Sequence, residues 1–91
     1  MIMDTNEVFQ KVKIVFVEEF EIEAELVTKE SLIFDELGLD SLDSVDLIVA
    51  LEKAFHFKID RVNDGQIITR IRNIQDIINY VESKKASFQN N

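Results

Sequence analysis

The sequence contains no cysteine and no proline, only two glycines and one histidine, and ten basic residues against eighteen acidic ones. Without cysteine there can be neither a disulfide framework nor a thiolate zinc site, which suits a reducing cytoplasm. Without proline, and with glycine confined to Gly38 and Gly65, the chain has few obligate breaks, a condition that favours helices. A net charge of −8 argues against nucleic acid, whose binding needs clustered cations to displace counterions. Long hydrophobic runs are missing as well. The most apolar stretch, Ile14-Val15-Phe16-Val17, is far short of the roughly 20 residues that span a bilayer. Asp4 and Glu7 stand where a basic patch and an apolar stretch would mark a secretory signal. The expectation is a cytoplasmic chain with no membrane span and no nucleic-acid partner.

What is present is enough for one core. Ninety-one residues, 46% of them hydrophobic, make a single domain across residues 1–91, with an ordered core over about 4–85 and frayed residues at 86–91. So small a core supports a stability of roughly 3–5 kcal/mol. Neither internal repeats nor low-complexity segments occur. The charge is uneven: residues 18–46 hold eleven acids and one base, Lys29, whereas residues 53–91 hold seven bases and four acids. A partner steered by this field would present cations to the first half, although acidity alone also serves solubility.

Three main helices and one short one are expected, an all-α bundle-like fold. The first begins at Asp4, with Glu7 as its capping-box partner, and carries Val8, Val12, Val15, Phe16 and Phe20 on one face, broadened by Phe9 and Val17. Residues 21–40 show no sustained period and read as a long acidic connection anchored on the core by Ile22, Val27, Leu32, Phe34 and Leu37, with Gly38 turning at positive φ. The second helix runs over residues 42–55 or 42–57. A short turn or helix is expected over residues 61–68, weakened by Gly65. The last helix starts at a cap made by Asn73 with Asp76 and passes through Ile74, Ile77, Ile78 and Val81 to Lys84 and Lys85, which would suit the negative end of its dipole.

The second helix has two apolar faces. At about 100° per residue, Leu51, Ala54, Phe55 and Ile48 fall near Leu47 on one side, and Leu42, Val45 and Val49 fall on the other with Asp46, Glu52 and Lys53 beside them. A surface helix needs only one such stripe. The second is either covered by the connection 21–40 or is an exposed binding surface, and bordering acids favour the latter. At the head of this helix Asp40 and Asp43 already form a capping box, so Ser41 falls in the first turn with its hydroxyl free to point outward, near unpaired N–H groups and the positive dipole end. A plain capping role for Ser41 is the structural alternative.

Gly38-Leu39-Asp40-Ser41-Leu42-Asp43, with Val45-Asp46-Leu47 and Ala50-Leu51-Glu52, resembles the acyl carrier protein family. The likeness extends over about residues 4–83. The resemblance implies a small four-helix carrier, acting as a monomer, with 4′-phosphopantetheine attached covalently to Ser41, flanked by Asp40 and Leu42, and acyl groups held as thioesters on its thiol. It implies two kinds of partner: a phosphopantetheinyl transferase, and acyl synthase, reductase, dehydratase or acyltransferase enzymes with basic patches. These would dock on Asp40, Leu42, Asp43, Val45, Asp46, Val49 and Glu52. The pathway implied is fatty acid biosynthesis or a related one. Two departures point to a specialised carrier for a polyketide or secondary lipid pathway as the alternative. Lys53 and Lys58 stand where fatty-acid carriers tend to be acidic, and the segment of residues 60–72 is a few residues longer than the common pattern.

Other classes fit poorly. Ser41 as a nucleophile needs a base, and His56 lies about four helical turns away, over roughly 20 Å along the axis; no Gly-x-Ser-x-Gly elbow occurs. The acids of residues 35–46 lack the ligand spacing of a calcium loop, so no metal site is expected. The remaining rival is a helical interaction module that is never modified.

Overall fold

Val8, Val12, Val15 and Phe16 recur every three or four residues, so a helix gathers them on one face, and burying that face is what stabilises it. In the computed structural model, which describes residues 5–60 and 62–89, they lie on α1 (Thr5–Phe20) and are all buried. Phe9 and Phe20 pack against them, partly covered. Asp4, the expected cap, lies outside the described residues.

The other elements follow the expected order: α2 (Ser41–Phe55), α3 (Gly65–Thr69) and α4 (Ile74–Gln89). The architecture is all-α, three helices of 15 or 16 residues and one of five, and the described residues contain no strand, only an isolated antiparallel bridge between Leu32 and Asn73. α1 packs against both α2 and α4. Leu47, Ala50, Leu51 and Phe55 of α2 and Ile74, Ile77, Ile78 and Val81 of α4 belong to one core cluster, with the buried face of α1 packed against both helices. Gly65 does not weaken α3 from within, because it is that helix's first residue.

α4 starts as its sequence demands. Asp76 N–H donates to Asn73 Oδ1 at 2.9 Å, and Asp76 Oδ2 accepts from the amides of Arg72 and Asn73 at 2.9 and 3.3 Å. Two more amides of its first turn are taken by the connection: Ile74 N–H by Ser31 O at 3.2 Å and Gln75 N–H by Lys29 O at 2.8 Å. Its far end differs from expectation. The helix continues to Gln89, so its backbone is regular over part of the segment expected to fray, and Lys84 and Lys85 are no longer at the dipole's negative end. Lys84 instead reaches back to Asp64, just before α3, with Nζ 2.8 Å from Oδ2. Tyr80 Oη donates to the same oxygen at 2.8 Å. These two donors hold the Asp64 carboxyl below its ordinary value, the Lys84 hydrogen bond first and the Tyr80 bond second. Burial, then the bond to Asp64, pushes the Tyr80 phenol well above its own. One carboxylate thus ties the start of α3 to two successive turns of α4.

The connection of residues 21–40 is anchored, but through different residues. Val27 and Leu37 are buried and Ile22 is partly covered, as expected. Leu32 and Phe34 are not anchors: each is 38% exposed, while Ile33 between them is fully buried. The bridge to Asn73 and the bond from Ile33 N–H to Arg72 O at 2.9 Å make this stretch locally extended, where neighbouring side chains point to opposite sides. Ser31, also unforeseen, is buried, and its Oγ donates to Leu26 O at 2.7 Å and accepts from Thr28 N–H at 2.9 Å. A 3₁₀ turn at Ala24–Leu26 completes the segment. The Gly38 turn is as expected, with φ +80°, a region an L side chain enters only under strain.

Candidate functional site at the head of the second helix

Past Gly38, Leu39 is buried and its N–H donates to Ile33 O at 3.2 Å, which pins the entry to α2. Asp40 then adopts an extended backbone and caps the helix. Its Oδ1 accepts from the amides of Leu42 and Asp43, each at 3.0 Å, and Asp43 Oδ2 accepts from Asp40 N–H at 3.0 Å. Both halves of the expected capping box are therefore formed, and by aspartates alone. Ser41 is the first helical residue; its side chain, and with it the expected outward hydroxyl, lies outside what the structure describes.

Around it the exposed apolar stripe is real. Leu42 is 77% and Val45 51% exposed, so the connection does not fold over them. Asp40 and Asp46 are exposed, and Asp43 and Val49 half-buried. Val49, Glu52, Lys53, His56, Phe57 and Lys58 line a shallow depression of about 500 Å³. Glu52 has a task the sequence reading missed. It is half-buried, and its Oε2 accepts from Ile59 N–H at 2.8 Å, tying the chain that leaves α2 back to the helix. The signal was in the alternation Phe55-His56-Phe57-Lys58-Ile59: Phe55, Phe57 and Ile59 are buried and His56 and Lys58 exposed, the period of an extended strand of chain. His56, at φ 56°, closes the helix in the left-handed conformation and is exposed at its end.

The family described as "Phosphopantetheine attachment site" matches residues 10–81, from α1 through α2 and α3 into α4. The acyl carrier protein of Campylobacter jejuni (strain RM1221) is 42% identical over 77 residues, 85% of this chain and 95% of that protein. The acyl carrier protein of Thermotoga maritima (strain MSB8) is 37% identical over 79 residues, 87% and 93% of the two chains. This chain belongs to the acyl carrier protein family. It is a carrier and not a catalyst, its cofactor is 4′-phosphopantetheine, and it works with a phosphopantetheinyl transferase and with partner enzymes. No helix among the described residues is long and apolar enough to cross a membrane.

The cap at the head of α2 is made by the Asp40 and Asp43 carboxylates. Asp40 and Leu42, on either side of Ser41 in the chain, are both exposed.

Proposed function

We propose that Ser41 carries the 4′-phosphopantetheine and that the face of α2 around it docks the enzymes that load and unload the arm. The observation that supports this reading is the all-aspartate capping box, which already holds the amides of Leu42 and Asp43 at the helix start where Ser41 is the first residue. When attached, the arm supplies a thiol on which an acyl group is held as a thioester. The chain's own residues orient the attachment point and present the docking face: Asp40, Asp43 and Asp46 as charges, Leu42, Val45 and Val49 as apolar contacts. Glu52, held by the Ile59 amide, stands at the edge of this face and has only its second oxygen to offer. The acyl groups are those of fatty acid biosynthesis or a related pathway. The exposed Lys53 and Lys58 at the far end of the face favour partners other than those of a uniformly acidic carrier. The cytoplasm is the compartment in which the transferase and coenzyme A would meet this cysteine-free chain.

Incubation with coenzyme A and a broad-specificity phosphopantetheinyl transferase tests the proposal. Intact mass is expected to rise by one phosphopantetheine, and Ser41→Ala is expected to abolish the rise. An unchanged mass with several transferases, or a gain that survives Ser41→Ala, would overturn it.

A further inference from the structure

The docking face of α2 changes sign along its length. Asp46, Val49 and Lys53 are three and seven residues apart, so they lie on one stripe of the helix, with Asp46 and Lys53 separated by about 10 Å along the axis. The N-terminal end of that stripe carries Asp43 and Asp46; the other end carries Lys53 and, just past the helix, His56 and Lys58 around the depression beside Val49, whose one acid, the half-buried Glu52, is already bonded to Ile59 N–H. Lys53, His56 and Lys58 are all exposed. Neither lysine takes part in an ion pair among the described residues, in contrast to Lys84. The helix dipole accounts for a cation at Lys53, which is in the last turn. It does not account for Lys58, three residues beyond Phe55 in extended chain whose buried neighbours Phe57 and Ile59 force it outward.

We infer that the partner seated on α2 bears a two-signed patch: cations opposite Asp43 and Asp46, an apolar contact over Val45 and Val49, and carboxylates opposite Lys53 and Lys58. The inference rests on the docking role proposed for α2 and names the chemistry of what docks there. A uniformly basic surface meets repulsion at the Lys53 end. A mixed surface is attracted at both ends and can seat in one orientation only, so the charge order selects the partner and its direction on the helix.

The probe is a designed amphipathic helical peptide with lysines at one end, glutamates at the other and a leucine stripe between, compared with an all-lysine version. With a nitroxide on its glutamate end, the mixed peptide is expected to broaden amide signals of residues 53–58. With the label on its lysine end, it is expected to broaden those of residues 42–46. At low salt, Lys53→Glu with Lys58→Glu is expected to weaken the mixed peptide and strengthen the all-lysine one, each by roughly tenfold, as two rim charge pairs change sign. Broadening without a preferred end, no broadening on α2, or a charge reversal that moves both peptides in the same direction would overturn the inference. Phosphopantetheine loading, followed by mass on the same samples, separates the two failures. A chain that loads normally yet shows no charge order loses this inference alone, and one that does not load loses the carrier reading.

Discussion

Removing a single hydroxyl from Tyr80 should loosen the tie between α3 and α4 without disturbing the core. Tyr80→Phe keeps the ring, which is 6% exposed, and deletes one donor from Asp64 Oδ2, leaving the Lys84 ammonium 2.8 Å away. A hydrogen bond to a charged acceptor contributes roughly 1.5–3 kcal/mol. Asp64 keeps 15% exposure, so water recovers part of the loss, and about 1–2 kcal/mol is expected. For a domain of this size that lowers Tm by roughly 4–16 °C. The effect should depend on pH with a definite sign. The Asp64 carboxyl is lowered in the folded chain, so its contribution is present above the ordinary value of 3.8 and fades as pH falls through the lower folded value. The Tyr80 phenol is raised, so its contribution is present below 10.0 and fades as pH rises beyond it. Urea melts of wild type and Tyr80→Phe at neutral and acid pH measure the size of the loss and its acid dependence, and melts above pH 10.0 measure the alkaline one. A difference under about 0.3 kcal/mol at neutral pH, or one that persists undiminished once Asp64 is protonated, would refute the account of this tie.

Ile33→Ala, which empties a fully buried site, should cost about 2–4 kcal/mol and bring a small domain close to unfolding, whereas Leu32→Ala next to it should cost under about 1 kcal/mol; equal losses in denaturant melts would contradict the facing assigned to this segment. Gly38→Ala should cost about 1 kcal/mol through its positive φ alone, since nothing lies within 4 Å of the added Cβ, and a neutral result in the same melts would show that the turn relaxes. Val45→Asp, on an exposed site, should leave circular dichroism unchanged while slowing transferase loading several-fold; loss of helix would place Val45 in the core instead.

Much of this molecule was legible in the chain because the relevant physics is local. The α1 stripe, the α4 cap at Asn73 and Asp76, the Gly38 turn and the aspartate capping box each depend on residues within one or two helical turns, and each formed as the spacing required. The exposed stripe of Leu42 and Val45 was legible for the same reason: a helix cannot bury opposite faces against one core.

Tertiary structure decided what depended on contacts between distant segments. Ile33, and not Leu32 or Phe34, became the anchor because the pairing of this stretch with residues 72–73 set which side chains face inward, and a shift of one residue would reverse that choice. Ser31 was buried because loop amides and carbonyls close around its hydroxyl. Glu52 was drawn to Ile59 and Lys84 to Asp64 because folding brought partners 7 and 20 residues away within 2.8 Å. Charges read from sequence alone were all candidates for a partner; packing determined which were already engaged within the chain.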